Sequence, residues 1–229
     1  MTIPRSSASS SGVIGFAWLL LMLLAMAAML FCSAGTWRYW EAWTYLGILL
    51  TASSLIITDL LKYSPALLER RLRMREKESR QRWIVGSAWL WFVATHVTAG
   101  LDQRFGGSEI SALAVGIADA FVILGYGVTF WVFRVNPYAS RIIEVEPGQR
   151  VIATGPYAVV RHPMYSGGLL IHLAAPLALG SYWALLPAVF ILPLLVARLR
   201  HEESVLLRDL AGYREYTRQT RHRLVPGIW

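Results

Sequence analysis

Apolar residues along this chain come in long blocks, with the polar residues gathered into short intervals between them. Six apolar segments stand out: Val13–Phe31, Trp43–Leu61, Trp83–Gly100, Ile110–Phe133, Met164–Gly180 and Tyr182–Ala197. A helix needs about 20 residues, and no fewer than about 17, to cross a bilayer, so the last two segments are short. They meet at Gly180-Ser181, which predicts a tight helical hairpin or a single bent, partly re-entrant element. The expected architecture is an all-α integral membrane protein with about six transmembrane helices and a small cytoplasmic cap. Residues 1–133 form a four-span membrane region in this reading, and 134–229 form a functional core.

Composition agrees: 55% of the residues are hydrophobic and 16% are charged, against roughly 25% charged in soluble domains. With six spans, all but Arg38 and Arg104 of the 22 Lys and Arg residues fall on one side. With five, the basic C-terminal tail would fall on the other side, against the positive-inside rule. A multi-pass protein of the cell inner membrane, with both termini cytoplasmic, follows as the expectation. The same placement explains the net charge of +8 without a nucleic-acid partner. Val13–Phe31 is long for a signal core and reads as an uncleaved first span. Cys32, the single cysteine, precludes an intrachain disulfide.

Between the second and third spans, Leu67, Leu68, Leu72 and Met74 alternate with charges. This predicts a short amphipathic helix resting on lipid headgroups, or else a solvated connector. Trp37, Trp40, Trp43, Trp83, Trp89 and Trp91 cluster near span ends, as in an interfacial belt. Asp59, His96, Asp119 and His172 fall within spans. Asp59 is near enough to an end to be solvated. Asp119 and His172 lie at similar depth and are expected to approach each other.

The longest connector, Arg134 to His162, carries turn signals at Asn136-Pro137 and Glu146-Pro147-Gly148-Gln149 and β-prone pairs at Ile142-Ile143 and Val151-Ile152. It leads into Thr154–Gly168, an irregular, turn-rich stretch. Gly155 permits an unusual φ, Pro156 can open a short helix over Tyr157–Val160, and Pro163 suits the first position of the fifth span. The free N–H groups of that span's first turn favour an anion. Tyr165 and the pair Gly167-Gly168 would let a flat group approach. After the sixth span, Arg198 and Glu202 share a helix face, with Glu203 one position round. The acids could accept hydrogen bonds from sugar hydroxyls and the arginine could orient an anion; an ordinary i,i+4 ion pair is the alternative. The aromatic, proline-stopped tail is expected to fold back onto the cap.

In order, Thr-Gly-Pro-Tyr, Arg-His-Pro-Met-Tyr-x-Gly, Arg-x-x-x-Glu-Glu, Gly-Tyr-x-x-Tyr and Arg-Leu-Val-Pro-Gly-Ile-Trp resemble the isoprenylcysteine carboxyl methyltransferase family, grouped with the membrane phospholipid methyltransferases. The motifs cover Gln149–Trp229. The resemblance implies S-adenosyl-L-methionine as cofactor and a lipophilic small molecule or lipid as acceptor. Carried over by position, Gln149, Val151, Ile152, Tyr157, His162, Pro163, Met164, Tyr165 and Glu202 are cofactor contacts. The Glu-Glu pair adds Glu203 to that wall, and Arg198 is assigned to the substrate carboxylate. A carboxylate acceptor needs no base; an amine would, with His162 or Glu203 as candidates. Phospholipid or amine N-methylation, an NADPH-dependent reductase of sterol type and a polytopic transporter or scaffold are the competing readings.

Overall fold

The computed structural model describes residues 5–72 and 79–229, with the side chains of 5–10 and 79–81 left aside. Its long helices are α1 (Arg5–Ala34), α2 (Trp40–Tyr63), α4 (Ser79–Phe105) and α5 (Ala112–Val135), with α3 (Pro65–Leu72) between the second and third of these. Each of the four contains a 24-residue stretch long and apolar enough to cross a membrane, about 36 Å at 1.5 Å per residue. Then come α6 (Pro163–Ala178), α7 (Leu185–Val189), α8 (Ile191–Asp209) and α9 (Tyr213–Gln219).

The six expected spans therefore resolve differently. Four helices meet the length and composition of a span, and α6, with 16 residues, reaches only about 24 Å. The sixth segment is not one helix: it breaks at Phe190, between α7 and α8. Pro193 is the physical reason, since it has no N–H to donate to the carbonyl of Val189. The hairpin turn at Gly180 holds, with φ +69° and the Ser181 N–H bonded to the Pro176 carbonyl.

The most extensive helix pairing is α5 on α6, and its geometry comes from two glycines. A Cβ on Gly125 would stand 2.6 Å from the Gly167 carbonyl, and one on Gly167 would stand 2.7 Å from the Gly125 carbonyl. The backbones touch because neither residue has a side chain. Gly167 thus serves helix packing, correcting the expectation that it leaves room for a flat ligand. Gly168 faces open space.

The amphipathic segment forms α3, but its apolar face is not spent on lipid. Leu67 and Leu68 are buried with Leu60, Val132, Phe133 and Ala139, in a protein core that excludes them from the bilayer surface. Met74 lies outside the described residues. Asp59 is paired, with Arg134 Nη2 3.1 Å away, instead of being left to solvent. No hydrogen bond or ion pair joins Asp119 to His172. His172 bonds the backbone of Ala188 on α7, while the near electrostatic neighbour of Asp119 is Tyr45 on α2. Similar depth did not mean a shared face. Of the tryptophans at span ends, Trp37, Trp40, Trp43, Trp83 and Trp89 are exposed, as an interfacial belt requires.

The bundle has two unlike ends. At one, Tyr39 Oη donates to the Leu179 carbonyl at 2.6 Å, and Asp102 accepts from Ser108 and Ser181, fastening three turns together. At the other, α3, the connector 136–162, the start of α6, the end of α8, α9 and the tail converge. The connector forms no strand among the described residues. Ile142-Ile143 and Val151-Ile152 have no neighbouring strand to pair with and instead line a cavity.

Candidate functional site

That second end contains a cavity of about 360 Å³, within the range of about 300–1,000 Å³ usual for small-molecule sites. Its floor is set by the entry of the chain into α6. Gly155, at φ +59°, packs so closely on Val135 and Trp131 that a Cβ would lie 3.2 Å from Val135. The expected helix over Tyr157–Val160 is instead a single 3-10 turn, Gly155–Ala158. It is fixed by Asn136 Nδ2 donating to Tyr157 Oη at 2.6 Å and by Tyr216 Oη donating to the Tyr157 carbonyl at 2.8 Å. His162, expected to be extended, instead has φ −125° and ψ 61°, and Pro163 opens α6 with no side chain capping its first turn.

The tail does fold back, and its backbone is used. Arg161 and His162 N–H donate to the carbonyls of His222 and Arg223 at 2.9 and 3.0 Å. Behind this contact sits an ionic cluster. Arg161 Nε is 2.7 Å from Glu203 Oε1, and Arg223 Nε is 2.8 Å from Glu203 Oε2. Arg161 Nη1 also donates to the carbonyls of Thr220 and Arg221. Burial by itself would raise the Glu203 carboxyl; His162 and Arg223 alongside it, with the charge of Arg161, reverse this and hold it at about 2. Glu203 and Arg161 are buried and Arg223 is half-buried, and both Glu203 oxygens are taken by arginines.

On the cavity side, α8 presents Arg198 and Glu202 on one face. Glu202 Oε2 accepts from Tyr165 Oη at 2.5 Å, and Arg198 Nη2 donates to the Arg141 carbonyl at 2.7 Å. Arg198 also bonds Tyr165. The pair therefore clasps α6 and the connector, where an isolated i,i+4 ion pair was the alternative. His162 is buried between the two glutamates, its Nδ1 3.8 Å from Glu202 and its Nε2 3.4 Å from Glu203.

Gln149, Val151, Ile152, Tyr157, His162, Pro163, Met164, Tyr165, Arg198 and Glu202 all line this one cavity. Glu203 does not. Both of its oxygens are taken by arginines, so it supports the wall from behind and is not free for a sugar hydroxyl or for proton abstraction. Gln149 spends its amide oxygen on the Glu146 N–H at 2.9 Å. Sequence reasoning missed several wall residues: Arg71 from α3, Val85 from α4, Arg141 from the connector and Tyr213 from α9. Tyr213 stands in the Gly-Tyr-x-x-Tyr motif, and Gly212 before it has φ +82°, so that motif could have flagged it. Nothing local marks Arg71.

The donor set suits a polar ligand that carries an acidic group. Five arginines face two glutamates across the lining, a surplus of positive charge. One buried polar atom of the lining, Tyr213 Oη, has no hydrogen-bond partner among the described residues, and such atoms ordinarily find one. Aliphatic side chains of Val151, Ile152, Val205, Leu206 and Leu210 offer an apolar slot. Among the described residues no cluster of three or more His, Cys, Asp or Glu could hold a metal ion.

Fold and cavity together define a helical protein with membrane-length spans and a nucleoside-sized site at one end. Residues 113–211 match the model of the phospholipid methyltransferase family. The matched stretch runs from the start of α5 to the end of α8, and so contains the connector, the α6 entrance and the Arg198–Glu203 face. It indicates a membrane methyltransferase, and enzymes of that family depend in general on S-adenosylmethionine. Arg71, Val85 and Tyr213 lie outside the match.

Proposed function

We propose that this protein transfers a methyl group from S-adenosyl-L-methionine to a lipophilic acceptor, and that the preferred reaction is carboxyl O-methylation of an isoprenylcysteine-like molecule. The observation that carries the reading is the α6 entrance. An uncapped helix start, Tyr165, Glu202 and Arg198 converge on one cavity within the stretch that matches the methyltransferase family. When bound, the cofactor supplies a methyl group already activated on a sulfonium, so the protein's task is to bind, orient and exclude water.

Tyr213 Oη and Glu202 are the polar groups that would hold the cofactor's hydroxyls and amino-acid end, and the apolar slot suits its adenine. Arg198 aligns the acceptor carboxylate, which is ionised at neutral pH and needs no base. Its bonds to Tyr165 and the Arg141 carbonyl fix it in place, so it orients an anion without moving onto it. The acceptor's hydrocarbon part would lie among the long helices, with its polar end at the cavity. Both termini on the cytoplasmic side of the cell inner membrane complete the proposal. In support, α3, the connector and the tail share one end of the bundle, while Arg104, beside Gly35, is at the other.

Phospholipid N-methylation is the second reading, favoured by the description of the matching family. An amine acceptor must lose a proton, and His162 takes that role here because Glu203 is engaged. Calorimetry with S-adenosylhomocysteine tests the cofactor assignment: Tyr165→Ala and Glu202→Ala should each weaken binding about tenfold or more. Equal affinity in both variants and the wild type overturns the assigned pocket. Methyl incorporation into a prenylcysteine compared with phosphatidylethanolamine then separates the two acceptors.

A further inference from the structure

One wall residue, Arg71, reaches the cavity from α3. On α3, Leu67 and Leu68 are 1% and 4% exposed, and Arg71 follows them at i+4 and i+3, so it leaves the helix on the same, inward face. Its neighbour Arg70 leaves on another and pairs with Glu146 at 2.7 Å. The Arg71 guanidinium stacks over the Phe133 ring at 4.6 Å. Among the described residues only its Nη1 finds acceptors, donating to the Ala139 carbonyl at 3.2 Å and touching Met164 Sδ at 3.6 Å. A guanidinium has five N–H donors, and among the described residues no carboxylate pairs with this one. Burial, then the nearby charge of Arg141, lowers it to about 10, which leaves it cationic at neutral pH.

A charged group taken into a protein wall without a counter-ion is costly, and ordinarily is paired. Among the other lining charges, Arg161 pairs with Glu203, Arg198 bonds the Arg141 carbonyl and Glu202 accepts from Tyr165. Arg71 lines the cavity with a rigid fork, an aromatic face beside it and donors that no described residue takes, a geometry matched to a planar or tetrahedral oxyanion.

We propose that Arg71 is an oxyanion-binding residue, which brings α3 into the site as a third wall and holds a carboxylate or phosphate of the bound ligand. The assignment of that ligand as the cofactor or its acceptor rests on the function proposed above; the subsite itself does not. The oxyanion has two sources, the amino-acid carboxylate of the cofactor or the acidic group of the acceptor, and the test distinguishes them.

The purified full-length protein in detergent is compared with Arg71→Lys and Arg71→Gln. Arg208→Gln serves as a control of equal charge change, since Arg208 is exposed and pairs with the adjacent Asp209. Elution volume and tryptophan emission check that each variant is folded. Thermal stabilisation by inorganic phosphate, with chloride holding the ionic strength constant, should be about tenfold less sensitive in both Arg71 variants and unchanged in the control. A loss with S-adenosylhomocysteine but not with methylthioadenosine, which lacks the carboxylate, supports the subsite and assigns it to the cofactor. A loss with a prenylcysteine acid but not with its methyl ester supports it and assigns it to the acceptor. Phosphate sensitivity that depends on Arg71 in a protein that binds no S-adenosylhomocysteine supports the subsite while refuting the methyltransferase reading. Arg71 variants within twofold of wild type for all three anions, or a wild type that binds none of them, overturn the proposal.

Discussion

Glu203 is the residue whose removal has the most calculable consequence. It is 6% exposed and neutralises Arg161, which is 7% exposed, as well as Arg223. Its carboxyl falls from the usual 4.5 to about 2, which at about 1.36 kcal/mol per pH unit corresponds to about 3 kcal/mol of stabilisation. Direct loss of one partner from a buried ion pair costs about 3–5 kcal/mol, so the two routes agree. Glu203→Gln keeps the shape and removes the charge, leaving Arg161 buried with only the two tail carbonyls. The expected effect is local, because Arg161 and His162 hold the tail through the His222 and Arg223 carbonyls. Hydrogen exchange of the Arg161 and His162 amides should quicken by about two orders of magnitude, while Val122 and Val132 in α5 keep their protection. Exchange at Arg161 and His162 within threefold of the wild type would refute the cluster as the tail's anchor. A depressed carboxyl contributes stability above its unfolded value, lost as pH falls through the folded one. The tail should therefore stay protected above about pH 4.5 and become open to pepsin between there and about pH 2.

Three further outcomes are expected. Gly167→Ala should cost about 1–3 kcal/mol by forcing α5 from α6, seen as a lower yield of monodisperse protein, whereas Gly168→Ala should be neutral or slightly stabilising because its Cβ meets nothing. Tyr39→Phe leaves the buried Leu179 carbonyl without its donor and should cost about 1–3 kcal/mol in thermal unfolding, with no change in S-adenosylhomocysteine affinity, since Tyr39 is at the end of the bundle remote from the cavity. Glu202→Gln should weaken that affinity with little loss of stability, the converse of Glu203→Gln; equal behaviour of the two would remove the distinction between cavity wall and support.

Much of the site was legible because its segments are local. Pro163 at the first position of α6, and Arg198 four residues before Glu202, are backbone and helix-period facts, and each places side chains without knowledge of the rest of the chain. The split roles of Glu202 and Glu203 were not legible, since adjacent helical residues differ by about 100° and only the packing partner says which one meets the cavity. Gly167 was misread for a related reason: a glycine announces close approach, but whether by ligand or by helix depends on what lies opposite, here Gly125. The sixth segment failed on a count of apolar residues that ignored Pro193, a signal that was present in the chain.

The sequence by itself determined that this is a helical membrane protein, because blocks of apolar residues too long for a soluble core must be buried in lipid or protein. It also determined where the backbone would turn, because Gly and Pro limit φ and hydrogen bonding wherever they stand. Only the tertiary structure decided which polar side chains share a space. Asp119 and His172, expected at similar depth, have different neighbours, and Arg71, some 90 residues before α6 begins, lies against Met164 of that helix. Such juxtapositions arise from helix rotation and helix pairing, which are fixed by contacts between distant segments and leave no periodic mark in either one.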